Sequence, residues 1–168
     1  MSVTANYRAK MDGYAARASQ ATGIPKEVIL AQWALESGNG TSAKAVKNNN
    51  HAGIKLGQKA VAAGKDSGGF AIYANLDQFV QDYIRVMNLS YYSGVRAAGK
   101  TGDIKQTIIE LGKSPYDAGH YQLGNVQGGK LLNMLGLGSG GSGKEENFTQ
   151  AQCPACGASL RLESSQRS

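Results

Sequence analysis

The sequence predicts a mainly α-helical domain of the α+β class with one short β-hairpin lobe, followed by a flexible tail. Three observations predict it. Apolar residues recur at helical spacing from Tyr7 to Leu135, only the stretch around residues 53–73 reads as strand, and residues 136–143 run Gly-Leu-Gly-Ser-Gly-Gly-Ser-Gly. With 168 residues, 41% of them hydrophobic, the chain suffices for one compact core plus an appendage.

The elements follow in order. Tyr7, Met11, Tyr14, Ala15 and Ala18 make the stripe of a first helix closing near Gly23. Pro25 suits the start of a second helix, which turns Val28, Ile29, Leu30 and Trp33 inward and stops at Gly38, a residue at ease in the left-handed conformation of a helix end. Residues 41–47 suffice for one or two helical turns. Residues 48–69 are rich in Asn, Gly and Lys and read as loop, with a short hairpin between Gly53-Ile54-Lys55 and Phe70-Ala71-Ile72-Tyr73. Leu76, Val80, Tyr83 and Met87 form a further stripe with Asn75 as its N-cap; Ile104, Ile108 and Leu111 form another; Leu123, Val126, Leu131 and Leu135 form the last. Residues 1–137 therefore read as one domain, 138–143 as a Gly/Ser linker and 144–168 as a C-terminal attachment segment.

The net charge of +6 belongs to the domain, because residues 144–168 carry three basic and three acidic side chains. A basic surface attracts anionic partners such as peptidoglycan peptides, teichoic acids or lipopolysaccharide. The Lys and Arg residues are scattered singly rather than interleaved with aromatics, which argues against nucleic acid. No run of about 18 apolar residues exists to span a membrane, and residues 1–10 lack the apolar segment of a secretory signal. An extracellular or periplasmic target would then be reached through a virion, a holin lesion or a secretion apparatus.

Glu36 is the most informative residue. It follows an apolar helix and precedes a glycine stop, and both burial and the negative end of the helix dipole disfavour its charged form, which favours a carboxyl that still holds a proton to donate. Position alone fits an ordinary exposed Glu equally well. Three blocks add to it: Leu35-Glu36-Ser37-Gly38-Asn39-Gly40, then Asn49-Asn50-His51-Ala52-Gly53-Ile54-Lys55, then Ser114-Pro115-Tyr116 with Tyr121 five residues on. In this order they resemble the bacterial and phage N-acetylglucosaminidase family of peptidoglycan hydrolases, which includes autolysins and the flagellar peptidoglycan hydrolase. The resemblance spans roughly residues 4–137. It implies a lysozyme-like fold with a cleft between helical and β lobes, Glu36 as catalytic acid and Tyr116 at the active site. Asn39 stands where that family usually has Trp, and Ala52 where it has Phe, so two aromatic surfaces of the sugar cleft are missing.

Glycosidic hydrolysis needs a proton donor and a group that balances the cationic transition state on the opposite face. The family's usual second Glu is absent; between Lys55 and Phe70 the only acid is Asp66, which becomes the candidate by elimination, its alternative being a capped turn. If Asp66 does not serve, the substrate's own acetamido group takes that role with Tyr116 orienting it, or the enzyme is a muramidase or lytic transglycosylase. Asn50, His51 and Tyr121 are candidate sugar ligands. No cofactor is expected for catalysis. In the tail, Cys153 and Cys156 form a Cys-x-x-Cys turn, half of a zinc site, whose readings are zinc shared between chains or with a partner, a disulfide, or a remnant. A second class of function is a structural component, of a phage tail or secretion machine, that keeps the scaffold with a weakened cleft.

Overall fold

A computed structural model describes residues 1–116 and 119–138; the expectations placed on Cys153, Cys156 and the segment beyond the linker lie outside the described residues. The order is α1 (Ala5–Thr22), α2 (Lys26–Ser37), α3 (Ala43–Asn48), β1 (Gly64–Lys65), β2 (Ala71–Ile72), α4 (Leu76–Met87), a 3-10 turn (Ser90–Tyr92), α5 (Ser93–Lys100), α6 (Ile104–Lys113) and α7 (Gly129–Met134). This is the α-rich arrangement with a small antiparallel lobe that the sequence predicts.

Helix α2 runs through the middle. It packs on α1, α6 and α7, while α1 also packs on α4 and α5 lies on α6. Because it is covered on several sides, Val28 through Ala34 are all buried, and a helix apolar all round is what such a position demands. Trp33 is fully buried and meets Phe79 and Tyr83 edge-on, with ring centroids 4.9 and 5.0 Å away. Burial of each such ring contributes on the order of 2 kcal/mol, and the edge contacts add to it.

The predicted stops hold. Gly23 (φ 76°) and Gly38 (φ 59°) end α1 and α2 in the left-handed region, and Asn75 caps α4 by accepting from the Gln78 amide. Two expectations are corrected, and one helix is added. The partner of Ala71–Ile72 is Gly64–Lys65, in a segment read as loop, and Lys55 meets Phe70 only through an isolated bridge. Leu123 and Val126 are not helical: Gly124 and Gly128 take positive φ, and the two apolar residues pair as a bridge with 45% and 42% exposure. Finally, α5 has no apolar stripe to announce it. Its Gly99 packs so closely on the α1–α2 turn that a Cβ would lie 2.4 Å from the Gly23 carbonyl oxygen.

Three consecutive asparagines at the end of α3 attach the β lobe. Asn48 donates to Asp66 Oδ2 (2.8 Å), Asn49 to the Tyr73 carbonyl (2.9 Å), and Asn50 to the carbonyls of Ile54 (2.8 Å) and Ala71 (3.0 Å) while accepting from the Ile54 amide. The bonds of Asn49 and Asn50 satisfy backbone that the short strands leave open.

Candidate active site

The last turn of α2 presents Glu36 with its side chain 14% exposed. Four residues earlier on the same face sits Gln32, a buried amide inside the apolar run. Tyr83 donates to Gln32 Oε1 (2.7 Å), Gln32 Nε2 donates to the Tyr121 hydroxyl (3.1 Å), and Tyr121 is hydrogen-bonded in turn to Glu36. The polarity of this chain is fixed. With its amide oxygen receiving Tyr83, Gln32 must give an N–H to Tyr121, so the Tyr121 hydrogen is left for the carboxylate. Burial, the Tyr116 phenol and the Glu36 carboxylate all push the Tyr121 phenol well above its ordinary pKa, so it stays a donor.

Around the carboxylate, His120 Nε2 lies 4.0 Å from Glu36 Oε1. Gly53 closes the other side: at φ 62°, a Cβ there would stand 3.2 Å from Glu36 Oε2 and 3.3 Å from Lys44 Nζ. The space that Gly53 leaves lets the β lobe approach the acid. Tyr116 is near as well. It follows the extended Ser114 beyond α6, and its hydroxyl donates to the Ala52 carbonyl. Its phenol is also held well above its ordinary pKa, by burial first and the Glu36 carboxylate second. The turn that carries Gly53 is thus tied to the tyrosine on the opposite side of the site.

Asp66 is placed differently. Its Oδ1 accepts from the Gly68 and Phe70 amides (2.9 Å each) and its Oδ2 from Asn48 (2.8 Å). The Phe70 amide first, then Asn48, Gly68 and the Lys44 ammonium, hold its carboxyl below the usual range despite some desolvation. Two further candidates fall away from the sugar-facing role expected of them. Asn50 and His51 are each 1% exposed; Asn50 spends its amide on backbone, and His51 Nδ1 shares a 3.0 Å hydrogen bond with the Tyr7 hydroxyl inside the core. Burial, with the Lys10 charge second, lowers the His51 pKa to about 4, so the ring is neutral. Ser37 closes α2, donating to the Trp33 carbonyl (2.6 Å) and accepting from the Gly40 amide (2.8 Å). Asn39, in place of an aromatic, binds the Ser2 carbonyl and the Thr4 amide and so anchors the N-terminal segment to the rim.

Sequence reasoning missed Gln32, Lys44 and His120. A lone polar residue four before the acid, within a run of apolar ones, is the signal that points to Gln32. Among the described residues, no group of three or more His, Cys, Asp or Glu side chains is gathered to hold a metal ion.

Known proteins share this fold. A chain of a type VI secretion system effector-immunity complex from Pseudomonas protegens superposes with a TM-score of 0.60 at 18% identity, covering 79% of this chain and 88% of that one. The catalytic domain of the autolysin Auto from Listeria monocytogenes superposes with a TM-score of 0.54 at 21% identity, covering 78% and 81%. At such identities the likeness is one of fold. No curated protein matches the chain. Residues 12–152, however, match the glucosaminidase family, described as mannosyl-glycoprotein endo-beta-N-acetylglucosaminidase, and they include Glu36 and both site tyrosines. The chain belongs to the glucosaminidase family and is a glycoside hydrolase of the endo-β-N-acetylglucosaminidase type.

Proposed function

We propose that this domain is a peptidoglycan hydrolase that cuts the β-1,4 bond following N-acetylglucosamine, with Glu36 as its general acid. The observation that carries the reading is the buried Tyr83–Gln32–Tyr121 chain ending on a carboxylate that is itself only 14% exposed. With the phenol engaging the carboxylate from inside the protein, Glu36 offers its proton from the oxygen left free for the leaving group. As the proton passes to the leaving O4, the C1–O4 bond breaks. Water then completes hydrolysis at C1 and returns a proton to Glu36.

For the opposite face of the sugar, the bonding of Asp66 supports assistance by the substrate's acetamido group. Three N–H donors occupy most of the acceptor positions that a carboxylate offers, and a nucleophile needs one free and aimed at C1. Tyr116, committed to the Ala52 carbonyl, then shapes the wall against which that group turns.

The substrate sets the place of action in the cell wall. No helix among the described residues is long and apolar enough to cross a membrane. Delivery by a secretion apparatus gains support from the secretion-system effector-immunity complex, one chain of which shares this fold, and a virion fits the same need. In this reading the Cys153–Cys156 tail is an attachment module, with zinc shared between chains as one way of closing it. Digestion of purified peptidoglycan followed by mass analysis of the new reducing ends tests the function: N-acetylglucosamine ends are expected. Muramic ends would make it a muramidase and anhydromuramic ends a lytic transglycosylase; no release would leave a scaffold.

A further inference from the structure

Two lysines frame Phe70, and one of them, Lys44, stands beside the acid and also acts on the Asp66 carboxylate. Lys44 Nζ, on α3, lies 4.2 Å from the centroid of Phe70, and Lys55 Nζ lies 5.2 Å from it. Among the described residues neither ammonium makes an ion pair or a hydrogen bond. Lys44 is also the cation that converges with Glu36 Oε2 on the space left by Gly53. An ammonium in this position attracts an anionic group brought by a ligand.

The chemistry of the leaving group says where that anion comes from. In an N-acetylglucosaminyl-β-1,4-muramyl bond, the oxygen that receives the proton is O4 of the muramyl sugar, and the adjacent O3 carries the lactyl arm. That arm bears a carboxylate, its own or one of a stem peptide joined to it. When O4 sits at Glu36, the arm starts one carbon away, toward whatever flanks the acid. Cutting the alternate bond would instead bring an N-acetylglucosamine there, with a bare hydroxyl at C3.

We propose that Lys44 and Lys55, framing Phe70, form a subsite for the anionic 3-O-lactyl arm of the sugar on the leaving-group side. The inference rests on the proposed hydrolysis by Glu36 and adds a specificity to it. Charge at this position selects the glucosaminyl-muramyl bond over the muramyl-glucosaminyl one and carboxylate-bearing glycan over neutral glycan. Phe70 supplies an apolar face, and the ammonium groups above it keep their charge available because a ring face holds a cation without neutralising it.

The test compares kcat/KM on three substrates: glycan strands stripped to the free lactyl carboxylate, the same strands with that carboxylate methyl-esterified, and intact peptidoglycan. Wild type should prefer the free carboxylate to its ester about tenfold, as a charge-assisted contact gives, and rising salt should erode the preference. Lys44→Gln should lose it, mainly through KM, while staying within about twofold of wild type on the ester. Lys44→Arg should keep it, and Lys105→Gln, on the exposed face of α6, should match wild type throughout. Loss by Lys44→Gln on stripped strands traces the contact to the lactyl carboxylate, and loss on intact peptidoglycan alone traces it to the stem peptide; both support the subsite. Equal rates on acid and ester in wild type together with no loss by Lys44→Gln on intact peptidoglycan, or the same loss in Lys105→Gln, would overturn it. Full activity of Glu36→Gln would instead sink the underlying reading of the acid.

Discussion

The site holds two carboxylates in opposite circumstances. Glu36, at the end of a fully packed helix, is engaged by a single phenol whose hydrogen is directed to it by a buried amide and a second tyrosine. Asp66, on the turn of a two-stranded hairpin, is surrounded by N–H donors that hold it ionised and fixed. The same functional group serves different ends according to the donors it meets. Backbone amides turn a carboxylate into a structural anchor, whereas one phenol from within leaves the other oxygen free for chemistry. Lys44 lies between the two, close to Glu36 and among the charges that act on Asp66.

Several substitutions sharpen this contrast. Removing the proton from the acid with Glu36→Gln should have the largest effect, at least about 10²-fold in kcat. Tyr121→Phe keeps the ring in the core but removes the donor that orients the carboxylate; about a tenfold fall in kcat with little change in KM is expected from steady-state kinetics. Asp66→Asn, which can still accept from the Gly68 and Phe70 amides, should stay within about threefold of wild type. A loss on the scale of Glu36→Gln would show that Asp66 is the second catalytic carboxylate and would remove the distinction drawn above.

A fourth prediction concerns His51, expected from sequence to bind sugar and found in the core. Its folded pKa, lowered to about 4, lies below the 6.5 of a free imidazole, so the unfolded chain binds a proton that the folded one refuses. The stability this neutral ring contributes is complete above pH 6.5 and is lost as pH falls toward 4, by about 1.4 kcal/mol per pH unit and about 3 kcal/mol in all. Urea unfolding between pH 6.5 and 5, above most carboxylate titration, should show that slope, and His51→Gln should lack it. A flat profile in wild type would mean that the ring is solvated.

Much of this was legible beforehand because its physics is local. Gly23, Gly38 and Asn75 end or cap helices through their own backbone preferences, and the α4 stripe of Val80, Tyr83 and Met87 is a one-sided pattern that only a helix satisfies. What stayed hidden depends on distant partners. Gly64–Lys65 becomes a strand because Ala71–Ile72 pairs with it, and two residues carry no alternation to read. Leu123 and Val126 keep helical spacing, but positive φ at Gly124 and Gly128 breaks the helix. At the site, Glu36 was visible through its helix end and the family blocks. The role of Gln32 emerges only when Tyr83 and Tyr121, 51 and 89 residues away in sequence, meet it. Likewise the asparagine run and His51 read equally well as sugar ligands until their partners in the β lobe and α1 are known.

The most direct measurement is single-turnover hydrolysis of muramyl-containing glycan strands by Glu36→Gln beside wild type, with thermal unfolding of both followed in parallel. The predicted result is a variant that unfolds within a few degrees of wild type yet cleaves at least about 10²-fold more slowly. A folded variant that cleaves at a near wild-type rate would contradict the assignment of Glu36 as the acid.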